Sequence, residues 1–476
     1  MKISNIDVDA ALANVRQQLK DDSAVSPSLR AAIELLMVLI QILLGRVSAN
    51  SSNSSKPPSQ DPNRPKESRS KGERKPGGQP GRIGKTLQPV EEPDAIRTVK
   101  VDRRTLPQGN QFRVVGYEKR QVFDLDISRF VTEYQAEILE NEQGQRIVAP
   151  FPAGVDRPVQ YGPRLKAHAV YLSQYQLLPY ERVREYFEDQ VGLALSAGSL
   201  FNFNQEAFDK AEGFEHWVKD RLAESELIHA DETGINIGGQ RHWLHCASND
   251  GLTWLAPHAQ RGHEAMEEIG ILPRFHGVLC HDHWKPYYRY ECGHALCNAH
   301  HLRELQRAWE QDKQAWAQRM QTLLRTMNDA VKNAGGSLPP DKADRWRKVY
   351  RKCLGRAEKA CPPPDESQRQ GRRGRLKRTR ARNLLERLRD YETDVLRFLD
   401  DPAIPFTNNQ GERDIRMLKV QQKISGCFRS FEGARIFCRV RSLLSTARKQ
   451  NLGASEVLTQ LFTGREPAFM SAPERG

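Results

Sequence analysis

The sequence predicts a mixed α/β fold whose core is a sheet interrupted by a long helical insertion. Three apolar or alternating runs separated by turns come first, at 227–231, 241–247 and 252–256. A helical pattern over 262–271 then leads into a further apolar run at 277–282. Hairpin strands followed by a crossover helix and another strand are the order of a ribonuclease-H-like sheet. We therefore predict an α/β ribonuclease-H-like core with a helical insertion, plus N-terminal helical and small β-rich modules.

Composition indicates a polyanionic partner. The 476 residues include 73 Lys and Arg against 60 Asp and Glu, a formal net charge of +13. Residues 341–390 alone hold 18 basic and 7 acidic side chains, an excess of 11 positive charges. Such a concentration favours nucleic acid or an anionic membrane surface as the partner.

Cysteine usage and hydropathy indicate a cytoplasmic protein that does not span a membrane. Eight cysteines without a regular framework are typical of a reducing compartment. The N-terminus shows no secretory signal pattern. The strongest apolar stretch, Ile33 to Leu44, contains Glu34 and Gln41 and is shorter than the ~20 residues of a membrane span.

Changes in composition and periodicity divide the chain into eight segments. Ser, Pro, Gly and basic residues dominate from Ser48 to Pro93, a composition that cannot bury a core and predicts a flexible basic linker. The predicted segments are 1–46 (helical, for oligomerisation), 47–94 (linker), 95–160 (small β-rich module), 161–225 (helical, DNA-binding), 226–305 (first part of the core), 306–400 (basic helical insertion), 401–462 (C-terminal helices) and 463–476 (disordered tail).

Two of these segments carry more detailed expectations. Alternation at 112–115 and 120–125 predicts strands in the β-rich module. In the helical segment, turns at Leu178-Pro179 and Val191-Gly192 precede a capping pattern at 196–199. A helix, a short turn with Gly and a second helix suit either a helix-turn-helix DNA reader or an ordinary helical subdomain.

Three acidic residues occupy settings that suit a metal-dependent DNA-cutting site. Asp231 ends the first apolar run and Asp282 ends another, while Glu412 opens an amphipathic basic helix. Carboxylates at strand ends are held rigidly, and three of them converging could bind two Mg²⁺ or Mn²⁺ ions for in-line attack on a phosphodiester. Arg416 and Lys419 follow Glu412 on one helical face and would contact a flanking phosphate.

A cysteine and histidine cluster over 292–301 admits two interpretations. Cys292, Cys297 and His300, or His294 and His301, offer zinc ligands at short spacing. A finger would need a second, well-separated ligand pair, which makes zinc unlikely. We predict instead that Cys297 and His300 cap a helix beside the acids and support them.

The aromatic residues after Asp282 and the basic run after residue 368 also have two interpretations each. Trp284, Tyr287 and Tyr288 either stack on an unpaired base or pack in the core, and core packing is the default. The basic run either contacts phosphates or forms a disordered loop with no specific target. The predicted contacts in this run are Arg372, Arg373, Arg375, Lys377 and Arg378.

Taken together, these motifs resemble those of the transposases of the insertion-sequence-66 family, which belong to the DDE class. The resemblance rests on the blocks 45–59, 77–81, 178–182, 229–233, 297–300, 408–413 and 423–433. The family usually carries a cysteine-rich, zinc-finger-like module after the linker. Residues 93–160 contain no cysteine, and we predict no metal there.

The resemblance implies a transposase that binds element ends in double-stranded DNA and cuts and joins strands. Asp231, Asp282 and Glu412 would be the catalytic, metal-binding residues, and Lys423 and Arg429 would contact DNA. The apolar helix at 33–44 predicts a homo-oligomer, with packing on the chain's own core as the alternative. The resemblance adds accessory proteins of the same element as further partners. A nuclease without strand transfer and a DNA-binding regulator with a decayed core are the alternatives.

Overall fold

Two helices near the N-terminus form a hairpin. The computed structural model describes residues 2–3, 6–22, 24–47, 50–54, 61, 87–107, 111–365, 367 and 376–471. Strands β1 (Lys2–Ile3) and β2 (Ile6–Asp7) pair antiparallel, and helices α1 (Val8–Asp21) and α2 (Pro27–Val47) follow. Leu12, Leu19 and Met37 form the buried contact of the hairpin.

Helix α2 leaves most of its apolar surface exposed. Eight of its large apolar side chains are exposed, and the stretch Pro27–Leu44 is apolar and long enough to cross a membrane by length and composition alone. This apolar stretch is longer than the stretch from Ile33 to Leu44 that the sequence alone indicates, because the helix begins at Pro27. One such helix near the N-terminus is weak evidence for a span.

The described residues within 87–151, together with Tyr186–Ala194, form a smaller compact unit of their own. In this smaller unit, β3 (Ile138–Glu140) and β4 (Arg146–Val148) form an antiparallel hairpin. The strands predicted at 112–115 and 120–125 are wrong, since neither segment pairs with another strand. Val115 and Val122 are highly exposed, and alternation without a face to bury does not stabilise a sheet.

Much of the predicted linker, at 55–60 and 62–86, lies outside the described residues. Four helices are formed within the segment 161–225. They are α3 (Pro163–Val170), which runs into a π-helical turn at Tyr171–Tyr175, α4 (Tyr180–Val191), α5 (Ala197–Lys210) and α6 (Glu212–Ala223). The capping expectation is confirmed, because the Ser199 amide donates a 2.9 Å hydrogen bond to the Ser196 hydroxyl.

The central sheet has five strands in the order β7-β6-β5-β8-β9. Its elements are β5 (Leu227–Ile237), β6 (Gln240–Ser248), β7 (Thr253–His258), helix α7 (His263–Ile269), β8 (Val278–His281) and β9 (Gly293–Leu296). The first three strands are antiparallel, whereas β8 and β9 run parallel to β5. Strand β9 is not predicted from the sequence, since its four residues lie inside the cysteine and histidine cluster.

The segment between the sheet and Glu412 is helical, as its periodicity predicts. It comprises α8 (Asn298–Glu310), α9 (Ala315–Asn333), α10 (Pro340–Ala360), α11 (Arg380–Asp390) and α12 (Glu392–Leu396). Leu324, Tyr350 and Leu388 of these helices share one buried core with Ala295 and Leu296 of β9. The insertion therefore packs directly on one edge of the sheet.

The C-terminal helices are α13 (Asn409–Ser425), α14 (Phe431–Lys449), α15 (Ala454–Phe462) and α16 (Ala468–Ser471). Of these helices, α14 covers the opposite edge at β7, and α13 packs on β5 and β6. The β7 amides of Thr253 and Leu255 donate hydrogen bonds to the hydroxyls of Thr446 and Ser442 on α14, at 3.0 and 2.9 Å. Side-chain hydroxyls thus satisfy amides that an edge strand would otherwise leave unpaired.

The predicted disordered tail is wrong for its first part. Residues 468–471 form α16, and the Phe469 ring lies 5.7 Å from the Trp217 ring. An aromatic contact of this kind can hold a short terminal helix in place. Residues 472–476 lie outside the described residues.

Replacing either of two glycines by alanine should change the free energy of unfolding, in opposite directions. A Cβ at Gly277 would lie 2.4 Å from the Glu226 carbonyl oxygen, whereas a Cβ at Gly355 in α10 meets nothing within 4 Å. We expect Gly277→Ala to lower the free energy of unfolding by about 1–3 kcal/mol and Gly355→Ala to raise it by about 0.5–1 kcal/mol. Urea unfolding of each purified variant measures both, and equal effects of the two substitutions would contradict this description.

Candidate functional site

Asp231 lies within the central strand of the sheet. The expectation that it stands just past a strand end is wrong, because β5 continues to Ile237 and stays paired with β6 over its whole second half. The Glu232 amide donates a 2.9 Å hydrogen bond to Asp231 Oδ1. Asp231 pairs with Cys246 of β6 on one side, whereas the pairing of β5 with β8 on the other side ends at His229.

Asp282 follows directly after β8, as predicted. Because β8 is parallel to β5, with His229 opposite Cys280, the chain leaves β8 beside Asp231. The Trp284 amide donates a 3.1 Å hydrogen bond to Asp282 Oδ1. His283 between them adopts φ +71°, a left-handed conformation that non-glycine residues seldom adopt outside constrained sites.

Glu412 lies in the first turn of α13, also as predicted. The residue before it, Gly411, lets the helix approach the sheet closely, since a Cβ there would lie 3.4 Å from Asp231 Cβ. Arg303 of α8 forms an ion pair with Glu412 Oε1 at 3.5 Å. The structure thus places Asp282 and Glu412, from two other segments, close enough for their charges to act on Asp231.

The proximity of these acids shows in the electrostatics of Asp231. Burial is the largest cause, and together with the charges of Glu232, Asp282 and Glu412 it raises the pKa of this carboxyl from 3.8 to about 8. A hydrogen bond from the Glu232 amide opposes the shift. A cation held among these carboxylates would relieve both the repulsion and the loss of hydration.

Glu232 belongs to a separate network on the other side of the strand. Its buried carboxylate pairs with Arg261 at 2.6 Å and accepts a 2.5 Å hydrogen bond from the Tyr287 hydroxyl. The Arg261 guanidinium lies over two indole rings, 4.2 Å from Trp284 and 5.0 Å from Trp243. Sequence reasoning missed Glu232 and Arg261, although Glu232 stands directly after Asp231.

The aromatic residues after Asp282 have different environments. Tyr287 is only 3% exposed, which agrees with the core interpretation. Tyr288 packs against His294 and Tyr391 and donates a 3.0 Å hydrogen bond to Asp394. Trp284 is half-buried and lies against Arg261, and Tyr288 is half-buried as well, so two of the three keep partial access to solvent.

Asn408 joins the segments that carry the acids. Its Oδ1 lies 2.7 Å from His229 Nδ1, and its Nδ2 donates a 2.9 Å hydrogen bond to the Ala230 carbonyl oxygen. Its backbone amide donates a 3.1 Å hydrogen bond to Cys297 Sγ. The side chain is 2% exposed. Sequence reasoning placed Asn408 in a motif but gave it no role.

The four predicted supporting residues divide into two pairs. Cys297 precedes α8 at its N-cap position without making a side-chain cap, and its Sγ lies with His300 and Glu412 in a group whose ligand atoms are all within 4.8 Å. On α13, Lys419 donates a 3.0 Å hydrogen bond to the Gly234 carbonyl oxygen, and Arg416 is exposed. Glu412 forms an ion pair with Arg303, a partner that the sequence did not indicate.

The predicted DNA-contact residues are only partly described. Lys377, Lys423 and Arg429 are exposed. Arg378 pairs with Glu386, whose side chain is 7% exposed, so this guanidinium is engaged within the insertion. The residues that lie outside the described part of the chain are Arg372, Arg373 and Arg375.

The raised pKa of Asp231 predicts a pH-dependent stability in the absence of divalent cations. A carboxyl whose folded pKa exceeds its ordinary value destabilises the fold progressively as the pH rises from about 4 to about 8. We expect Asp231→Asn to leave stability nearly unchanged at pH 4 and to raise the free energy of unfolding by about 1–3 kcal/mol at pH 8. Urea unfolding in the presence of a chelator measures the difference.

Asp414→Asn is the matched control for this prediction. Asp414 lies on the same helix as Glu412 but forms an ion pair with Lys449 at 2.7 Å. Its replacement breaks a partly buried ion pair and should therefore destabilise the fold at pH 8. Equal behaviour of the two variants would contradict the charge crowding at Asp231.

Comparison with known families agrees with the resemblance seen in the sequence. The model of the family described as "Transposase IS66 family" matches residues 158–436, which is more than half of the chain and includes all three acids. A family of unknown function (DUF6444) matches residues 2–88. A search of curated proteins finds no match. The resemblance is thereby confirmed, and the chain belongs to the IS66 family of transposases.

Proposed function

We propose that this transposase cuts and joins DNA strands with Asp231, Asp282 and Glu412 as its catalytic residues. The observation that carries the proposal is the convergence of these acids from β5, the end of β8 and the start of α13. A regulator with a decayed core would have no need to keep three buried or half-buried carboxylates that repel one another. Family membership supports DNA as the substrate.

The sheet topology supports a ribonuclease-H-like core. Three antiparallel strands are followed by a helix and two strands parallel to the first, and a later helix brings Glu412 against the first strand. In this arrangement the acids lie on the central strand, directly after its parallel neighbour and on a helix packed against the central strand. The long insertion between β9 and α13 leaves this order intact, since it packs on the sheet edge.

The donor set suits Mg²⁺ or Mn²⁺. Carboxylate oxygens are the ligands that these hard cations prefer, and Asp231, Asp282 and Glu412 would hold the ions. When bound, two such ions supply Lewis-acid activation of the attacking oxygen and neutralise charge on the scissile phosphate. No covalent intermediate between protein and DNA is required.

The protein's own residues orient this set. Asn408 fixes the start of α13 against β5, and Gly411 allows the close approach that puts Glu412 beside Asp231. Arg303 holds the Glu412 carboxylate from the α8 side. On the opposite side of β5, the Glu232 charge is balanced by Arg261, which reduces its repulsion of Asp231.

A basic stripe on α13 provides a path for DNA away from the acids. Arg416, Lys419 and Lys423 are exposed and follow Glu412 at spacings of four, seven and eleven residues, which places them along one helical face. At 1.5 Å per residue the stripe extends about 16 Å from the catalytic acid. We propose that it contacts the backbone phosphates flanking the scissile bond.

Self-association through the N-terminal hairpin is a further part of the proposal. Leu35, Leu39 and Ile42 of α2 are among its exposed apolar side chains, and the helix pairs with α1 over only part of its surface. A second copy of the hairpin would bury this face. Accessory proteins of the same element remain predicted partners.

Loss of any one acid should abolish catalysis without abolishing DNA binding. Asp231→Asn, Asp282→Asn and Glu412→Gln each remove a ligand while keeping the shape of the side chain, and we expect strand cleavage to fall by at least about 10³-fold. The assay uses Mg²⁺ and duplex DNA carrying the terminal repeats that flank the coding region. Normal cleavage by any one of the three variants would refute the assignment.

Product analysis separates a transposase from a nuclease that hydrolyses DNA without joining it. A strand-transfer reaction yields products in which the cut 3′ end is covalently joined to target DNA. Hydrolysis alone gives shortened strands only, and this outcome would replace the proposal with the nuclease alternative.

The basic stripe predicts a change in the salt dependence of DNA binding. Removing two phosphate contacts with Arg416→Ala and Lys423→Ala should weaken binding uniformly across sequences and reduce the slope of log K against log salt by about 2. Lys332→Ala, an exposed lysine on α9, is the matched control and should leave the slope unchanged. The same slope in the double variant and the control would remove α13 from the DNA path.

A further inference from the structure

A thiol, an imidazole and a carboxylate meet on the α8 side of the proposed catalytic acids. The ligand atoms of Cys297, His300 and Glu412 all lie within 4.8 Å of one another. Cys297 and His300 are separated by one helical turn at the start of α8, and Glu412 comes from the first turn of α13. Glu412 is thus the single residue shared between this group and the three acids.

The group is built into the fold and has an unused ligand position. Cys297 is 1% exposed, and its Sγ accepts a 3.1 Å hydrogen bond from the Asn408 amide. His300 Nδ1 is buried and has no hydrogen-bond partner. Leaving such a nitrogen unsatisfied costs about 1–3 kcal/mol, and a metal ion is one species that would satisfy it.

Three further charged residues, Arg303, Asp282 and Glu304, act on this group. Burial has the largest effect on the pKa of His300 and lowers it. The charge of Arg303, which lies 3.5 Å from Glu412, also lowers this pKa, whereas the charges of Asp282, Glu412 and Glu304 raise it. Arg303 would have to release part of its hold on Glu412 when a cation binds.

Sulfur, nitrogen and oxygen together select a particular class of cation. Zn²⁺ and similar thiophilic ions bind cysteine, histidine and carboxylate ligands in tetrahedral sites, whereas Mg²⁺ takes oxygen ligands almost exclusively. Three protein ligands with a fourth position open are sufficient for a zinc site.

We propose that Cys297, His300 and Glu412 form a binding site for Zn²⁺ or a similar thiophilic divalent cation, and that its occupancy withdraws Glu412 from Asp231 and Asp282. The site would then inhibit Mg²⁺-dependent strand cleavage. This second statement rests on the proposed function, in which Glu412 is a catalytic ligand, whereas the binding site itself does not.

This ligand set differs from the one weighed in the sequence. His294 lies with its Nδ1 3.1 Å from His281 Nε2, and His301 Nδ1 lies 3.0 Å from Asn298 Oδ1, so both rings already have partners. The third ligand comes instead from Glu412, on a helix that follows the entire insertion. Sequence spacing alone gave no indication of that ligand.

Cobalt titration of the tag-free, reduced full-length protein without DNA tests the site. Co²⁺ bound to a thiolate gives a near-ultraviolet charge-transfer band, and we expect such a band with one equivalent of Co²⁺ and its loss on addition of Zn²⁺. Cys297→Ser should abolish the band. His300→Gln and Glu412→Gln should each weaken Co²⁺ binding by about tenfold or more. Cys427→Ser removes an exposed cysteine outside the group and should change nothing.

Absence of the band in the wild-type protein, or its persistence in Cys297→Ser, would overturn the site. Circular dichroism checks that each variant is folded. Because Glu412 is partly exposed, its substitution tests the site even where replacement of the buried cysteine disturbs folding. Unchanged Co²⁺ affinity in Glu412→Gln would equally overturn the proposal.

An activity measurement separates the site from its proposed effect. Micromolar Zn²⁺ should suppress cleavage in excess Mg²⁺, with recovery on addition of a zinc chelator. Binding without suppression would keep the site and refute the withdrawal of Glu412. If the protein shows no Mg²⁺-dependent cleavage at all, the proposed function fails, while the Co²⁺ titration still decides the site.

Discussion

The buried side chain of Asn408 is the connection on which the site depends. Its amide group bridges His229 and the Ala230 carbonyl of the central strand, while its backbone amide reaches Cys297. Each bond lies in a dry environment, where an unsatisfied partner is costly. The start of α13 is therefore held at one distance from β5, and Glu412 is positioned one turn later. Gly411 makes that distance short enough to bring Glu412 beside Asp231.

Such crowding of negative charge is tolerated because the surrounding cations are distributed around it. Arg303 contacts Glu412 from α8, and Arg261 balances Glu232 from the other side of the strand. Asp231 itself has no basic partner among the groups that shift its pKa. The fold thus supplies a cation to Glu412 and to Glu232, whereas the main influences on the pKa of Asp231 include no basic group. That arrangement is typical of sites that gain their missing charge from a bound cation.

The basic insertion has a structural role that its composition does not reveal. Arg382 is 5% exposed and pairs with Glu358 and Glu386, while Arg351 pairs with Glu392 and Arg387 pairs with Glu304. These positive charges therefore join one helix to another, and that of Arg382 is buried between them. The insertion also supplies, through its packing on β9, the support for α8 and hence for Arg303 and His300.

The sequence alone determined the kind of most elements in the core and led to the proposal of the three acids. Strand and helix patterns around Asp231 and Asp282 are local, because side-chain periodicity and turn residues act over a few positions. Only the tertiary structure decided that Asp231 lies inside β5, that β9 exists, and that Asn408, Arg303 and Arg261 surround the acids. These features depend on contacts between residues far apart in the chain, such as His229 and Asn408, for which a local pattern carries no information.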